Sequence, residues 1–120
     1  MKIKPPTELE EQAAVIEYLE ILKTQGKVQV FSAVPNNTFT RSWGIKMKQK
    51  KEGVRKGAPD LIVVTRKDVL FIEMKRSKKS LSKLGKEQKE WQEAINNTGG
   101  NAIVCYGADS AIDYIKSKCS

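Results

Sequence analysis

Gly57-Ala58-Pro59-Asp60-Leu61-Ile62-Val63-Val64-Thr65-Arg66-Lys67-Asp68-Val69-Leu70-Phe71-Ile72-Glu73-Met74-Lys75 is the stretch on which the fold depends. Two short apolar runs, residues 61–65 and 69–74, flank a polar turn, the pattern of a β-hairpin. A two-residue turn at Lys67-Asp68 would pair Arg66 with Val69 and so set the register. In that register Asp60 lies opposite Lys75, and Ile62 lies opposite Glu73. Glu73 and Lys75, two apart on one strand, project to the same face as Asp60. Asp60 and Glu73 become diagonal neighbours, roughly 7–8 Å apart at the backbone. Their carboxylates could then converge on one divalent cation. Both strands carry apolar residues on both faces, so they are expected to be covered on both sides. Charged groups at the end of such a hairpin are costly unless paired or holding a metal. A buried Asp-Lys ion pair beside an edge carboxylate is the other arrangement this pattern allows. Proline is tolerated at a strand's entry, and glycine there permits close approach of backbone or substrate.

Outward from the hairpin, residues 7 to 25 read as a helix with Thr7 as N-cap, Glu10 at the capping-box position and Gly26 as its stop. At about 100° per residue, Glu8, Gln12, Val15, Ile16, Leu19 and Leu22 share one side. Glu8 and Gln12 fall near the middle of that apolar arc and Glu11 at its edge. Glu8 there either serves a site or simply favours the helix dipole. Residues 28 to 34 read as a strand, and residues 35 to 56 as a long polar loop. A second helix covers residues 86 to 97 and is stopped by Gly99-Gly100. A strand follows at 102 to 106, then a short closing helix at 110 to 118. The order α-β-β-β-α-β-α predicts an α/β domain with a central sheet, and the chain length suits a single domain, residues 1–120.

The net charge is +8, from 22 Lys and Arg against 14 Asp and Glu, which favours a polyanionic partner such as nucleic acid. Histidine is absent. That excludes His-metal nucleases, zinc deaminases, Ser-His-Asp hydrolysis and ordinary zinc fingers, and leaves catalysis to carboxylates, lysine and a bound cation. Cys105 and Cys119 fit no metal-ligand spacing and read as free thiols of a reducing cytoplasm. The expectation is a cytoplasmic protein without a secretory signal or membrane span, of bacterial or phage origin.

Gly57-x-Pro59-Asp60, thirteen residues before Glu73-x-Lys75, resembles the signature of the PD-(D/E)XK nuclease superfamily. Glu8-x-x-x-Gln12 on the opening helix, Asn36-Asn37 before a basic loop, and Leu81-Ser82 followed by Gln88-x-x-Trp91 resemble its VRR-NUC branch along most of the chain. The spacing from Leu81-Ser82 to Gln88 is longer than usual in that family, which bears on where the second helix starts. The resemblance implies a restriction-endonuclease-like core: a mixed central β-sheet flanked by helices, α-β-β-β-α-β, here with a short C-terminal helix. It also implies hydrolysis of DNA phosphodiesters with Mg²⁺ or Mn²⁺. Stand-alone members are similar to Holliday-junction resolvases acting as homodimers. Carried over residue by residue, Asp60, Glu73 and the Met74 carbonyl would bind the metal, with Glu8 binding or orienting the site from the first helix. Lys75 would position or activate the attacking water, and Gln88 would support the site from the second helix.

The function expected from sequence is therefore a metal-dependent, structure-selective DNA endonuclease, with branched or four-way-junction DNA as substrate and a homodimer as the working form. The rivals are a less selective nuclease or nickase and a DNA-binding module that no longer cuts. Absence of a target-recognition domain favours structure selectivity. DNA would be held by Arg41, Lys46, Lys48, Lys50, Lys51, Arg55 and Lys56 before the hairpin and by Arg76, Lys78 and Lys79 after it, where the basic run continues through Lys83, Lys86 and Lys89. Asn36 and Asn37 either bond phosphate or make a turn. Trp43 either stacks on an unpaired base or anchors the loop or a dimer contact, and Trp91 is expected in the core.

Overall fold

In the computed structural model, which describes residues 4–35 and 42–119, Thr7 caps helix α1 (Glu8–Thr24). The Thr7 hydroxyl accepts the Glu10 N–H at 3.1 Å and the Glu10 carboxylate accepts the Thr7 N–H at 3.2 Å, a complete capping box. Gly26 ends the helix at φ +75°, a conformation glycine adopts without penalty. The buried stripe of α1 runs Glu11, Val15, Leu19, Leu22. The apolar arc is thus centred nearer Glu11 than the sequence suggested, leaving Gln12 half-buried and Glu8 exposed.

Four strands form one sheet in the order β1 (Val28–Ala33), β2 (Leu61–Thr65), β3 (Val69–Lys75), β4 (Asn101–Tyr106). The first three are antiparallel neighbours, and β3 and β4 are parallel. Parallel neighbours need a crossover, supplied here by α3 (Lys86–Asn97) after a short 3-10 turn at Lys79–Leu81. The Asn96 side chain bonds both the N–H and the C=O of Ala102, tying the end of α3 to the start of β4. Helix α4 (Ala108–Cys119) begins two residues earlier than the sequence predicted and packs beside α1. Val15 and Leu19 of α1, Leu61, Val63, Leu70, Ile72 and Met74 of the hairpin, and Ala111 and Ile115 of α4 form the core between these helices and one face of the sheet. Each fully buried aliphatic side chain here contributes about 1.5–3 kcal/mol. The other face is only partly covered: Ile62, Val64 and Phe71 are half-buried and Val69 is exposed, against the expectation of cover on both sides.

The hairpin register also differs from the sequence reading. Leu61 pairs with Ile72, Ile62 with Phe71, Val63 with Leu70 and Val64 with Val69. The two turn residues are Arg66 and Lys67, because the Thr65 hydroxyl accepts the N–H groups of both Lys67 (3.2 Å) and Asp68 (2.9 Å), while the Thr65 N–H donates to the Asp68 carbonyl. Moving a two-residue turn back by one residue changes every pairing by two. Side chains keep their faces, and Asp60, one step beyond the ladder, comes level with Glu73 instead of diagonal to it.

The segment read as a polar loop contains a helix, α2 (Trp43–Glu52). The Ser42 hydroxyl caps it by accepting the Ile45 N–H, and Gly53 closes it at φ +84°. No residue of α2 is buried.

Candidate active site

The hairpin's charged end opens into a cleft of about 430 Å³ whose lining includes Glu8, Asp60, Glu73, Lys75 and Gln88. Residues spread over some eighty positions meet there because four elements begin or end at the same place. Asp60 enters β2, Glu73 and Lys75 leave β3, and the first turns of α1 and α3 bring Glu8 and Gln88. The Asp60 carboxylate accepts the Met74 N–H at 2.7 Å, which clamps the start of β2 to the end of β3. In an extended strand a residue's C=O points the same way as its N–H, so the Met74 carbonyl faces the Asp60 side. The Lys75 carbonyl turns the other way and accepts the Gly107 N–H.

Glu73 is almost wholly buried, and its Oε1 has no hydrogen-bond partner among the described residues. Burial drives its carboxyl well above the usual carboxylate range. The hydrogen bond and negative charge of Asp60 push it further the same way, and Lys75 opposes them. An unsatisfied carboxylate oxygen beside a second carboxylate is a costly arrangement that a cation relieves. The groups that could hold one are Asp60, Glu73 and the Met74 carbonyl. No three His, Cys, Asp or Glu side chains gather into a metal-binding group among the described residues. Mg²⁺ needs no such group, since one or two carboxylates with waters and a substrate phosphate suffice.

Lys75 is buried along its stem, and its Nζ lies 3.9 Å from Glu8 Oε1, at the half-exposed mouth of the cleft. Gln88 faces the cleft, with its side-chain oxygen accepting the Gly85 N–H at 2.7 Å, so it also closes the first turn of α3. Gly57, at φ +91°, lets the chain pass against Glu87 and Gln88 where a Cβ would have no room.

Glu11 takes a different part from Glu8. Its buried carboxylate accepts the Ala108 N–H at 2.9 Å at the N-terminal end of α4, where a negative charge also suits the helix dipole. Replacing it by alanine is expected to cost about 1–3 kcal/mol in urea unfolding, and by glutamine less than half of that. Equal losses for the two variants would remove the capping role.

Of the predicted DNA contacts, Lys56 lines the cleft, and its neighbours Lys46 and Lys50 line an adjoining groove. Lys48 pairs with Glu52 at 3.7 Å, while Lys51, Arg55 and Lys78 are exposed. Arg76 is tied to the Pro5 and Pro6 carbonyls, and Lys79 sits over the Tyr106 ring. Asn36, Asn37 and Arg41 lie outside the described residues. Trp43 is 75% exposed, so it does not anchor its segment in the core. Trp91 is half-buried instead of lying in the core, and its indole N–H bonds the Lys56 carbonyl at 3.2 Å. Lys83, from the basic run after the hairpin, also lines the cleft, as does Glu87, which the sequence reading passes over. Glu87 pairs with Lys56 at 3.9 Å, a contact between distant segments that no local pattern announces.

An α/β core with two carboxylates and a lysine at the open end of a central hairpin is the architecture of a nuclease-type domain. The VRR-NUC domain family matches residues 7–109, and the chain belongs to that family. A solved structure described as a VRR_NUC domain protein is similar over 97% of this chain and 90% of its own, at 28% identity and a TM-score of 0.78. Among curated proteins, no sequence match is found.

Proposed function

We propose that this domain is a divalent-cation-dependent DNA endonuclease that cuts branched DNA, four-way junctions included, and works as a homodimer. The observation that carries the reading is the partnerless Glu73 oxygen beside Asp60, within reach of Lys75. These residues fit a hard cation, which Asp60, Glu73 and the Met74 carbonyl would hold. When bound, Mg²⁺ or Mn²⁺ supplies Lewis-acid polarisation of the phosphoryl oxygen and lowers the pKa of water.

The chain's own side chains do the rest. Lys75, its stem held rigidly by burial, presents one positive charge where the phosphate gains negative charge in the transition state. Glu8, ion-paired with that ammonium at 3.9 Å, fixes where it points. Gln88, braced on Gly85, holds the α3 wall of the cleft in position. Lys56 and Lys83 at the rim attract the phosphate backbone without reading bases, as structure-selective binding requires. The two-fold pairing of cuts on a four-way junction is what a two-fold dimer supplies.

The test is cleavage of a labelled four-way junction and a matched linear duplex with Mg²⁺, Mn²⁺ or EDTA, for the wild type and Asp60→Ala. Paired, cation-dependent nicks on the junction, lost in the variant, are expected. Equal cutting of both substrates would leave a less selective nuclease. Salt-sensitive binding without cleavage under any cation would leave a binding module.

A further inference from the structure

Helix α2 departs from the rules that govern the other helices. It buries nothing, yet it is capped at both ends by Ser42 and Gly53 and so is locally specified as a helix. Its side chains sort by face. At about 100° per residue, Trp43, Lys46 and Lys50 fall within roughly a 60° arc, while Lys48, Glu52 and Ile45 lie across the helix. Lys46, Gln49 and Lys50 line a groove of about 210 Å³ with Val54 and Lys56. Lys56 also lines the active-site cleft, so groove and cleft are joined at one cation. The join is held firmly, since Trp91 bonds the Lys56 carbonyl and Glu87 pairs with its ammonium.

From this geometry we infer that α2 is a guide for a nucleic-acid strand leaving the cleft. Phosphates are held by Lys56, Lys50 and Lys46 in turn, and an unpaired base stacks on Trp43, about 10 Å farther along the helix from Lys50. The inference rests on the nuclease reading for the direction of the path and adds to it a substrate class: DNA with unpaired nucleotides a few positions from the cut. A paired base already has stacking neighbours on both sides and gains nothing from Trp43. Charge complementarity selects the occupant, because the face that carries Trp43 also carries Lys46 and Lys50, with no acid between them. A second copy of the chain fits less well. Ile45 lies across the helix from Trp43 and Met47, so α2 offers no continuous apolar stripe for a protein partner.

The test measures binding without cutting. Fluorescence anisotropy in EDTA compares a blunt duplex with the same duplex carrying a short single-stranded tail, over a range of salt. The wild type is expected to bind the tailed DNA more tightly. Trp43→Ala should weaken the tailed complex about tenfold and leave the blunt one little changed, with Trp43→Phe restoring most of the loss. The double variant Lys46→Ala, Lys50→Ala should lower the salt slope by about 2, while Lys48→Ala lowers it by less than half the amount of either single change. Equal weakening of both DNAs by Trp43→Ala, or a Lys48→Ala effect matching that of Lys46→Ala, would overturn the guide. So would a dimer that Trp43→Ala converts to monomer in sedimentation, which makes α2 a contact between copies. No step here depends on cleavage, so a protein that binds as expected but never cuts would sink the nuclease reading and keep the guide.

Discussion

Glu73→Gln is expected to abolish cleavage and, in EDTA, to raise the melting temperature. Loss of a side chain placed to hold the cation and face the phosphate should lower kcat by about 10²–10³-fold or more. Stability moves the opposite way because, without a cation, the buried native carboxyl must hold a proton that the unfolded chain releases, a cost glutamine does not carry. The Glu73 Oε1 is buried and partnerless among the described residues, and Asp60 stands beside it. Glutamine has the same shape, carries no charge, and can donate from its amide to Asp60. Relief of an unsatisfied buried group is worth about 1–3 kcal/mol, or roughly 4–12 °C in melting temperature for a domain of this size. A variant that melts lower than the wild type in EDTA would show that Glu73 is satisfied by some contact other than a cation.

The same residue fixes a pH dependence. The folded carboxyl titrates above its ordinary value of 4.5, so between that value and its raised one the folded state binds the extra proton. Unfolding then releases a proton, and stability falls as pH rises through this window. Metal-free wild type should therefore melt higher at pH 5.5 than at pH 8. Glu73→Gln should flatten that difference, and Mg²⁺ or Mn²⁺ at pH 8 should restore stability to the wild type alone. Thermal melts of both proteins at the two pH values, with and without cation, read all of this without a substrate. Stability that rises with pH in the metal-free wild type would contradict the carboxylate arrangement.

The clustering of the candidate site's residues is legible in the sequence for a reason that the turn exposes. The sequence pattern puts the turn at Lys67-Asp68 and the structure puts it at Arg66-Lys67, because the Thr65 hydroxyl that gathers the turn N–H groups is one of many polar groups nearby. A one-residue error in a two-residue turn moves the pairing by two, and strand periodicity is two. Asp60, Glu73 and Lys75 therefore stay on one face whichever turn is drawn. Helix α2 is invisible to hydrophobic periodicity, which reports burial, and α2 has none to report. Its end signals, Ser42 and Gly53, were present but carry little weight without an apolar stripe between them. The part played by Glu11 is hidden in the sequence for a related reason. A carboxylate in a buried stripe reads as a misfit until α4, nearly a hundred residues away, supplies the N–H that it binds.

Gly57→Ala should be among the most damaging single substitutions outside the charged residues, and Gly53→Ala supplies its measure. Both glycines have positive φ, +91° and +84°, where an L side chain costs about 1–2 kcal/mol. At Gly53 a new Cβ would meet nothing within 4 Å, so the loss should stay near that backbone cost. At Gly57 it would lie 2.6 Å from the Glu87 carbonyl carbon and 2.8 Å from the Gln88 backbone nitrogen. Backbone in the first turn of a helix does not step aside as a flexible side chain does. Relief requires moving the start of α3 or the approach to Asp60, adding about 1–3 kcal/mol of overpacking. Either movement also shifts Gln88 or Asp60 across the cleft, so cleavage should fall even at temperatures where the variant is fully folded. Urea unfolding of the two variants, paired with cleavage rates at low temperature, separates the two costs. Equal stability losses, or a folded Gly57→Ala that cuts at the wild-type rate, would mean that the close passage of this segment against α3 does not set the geometry of the site.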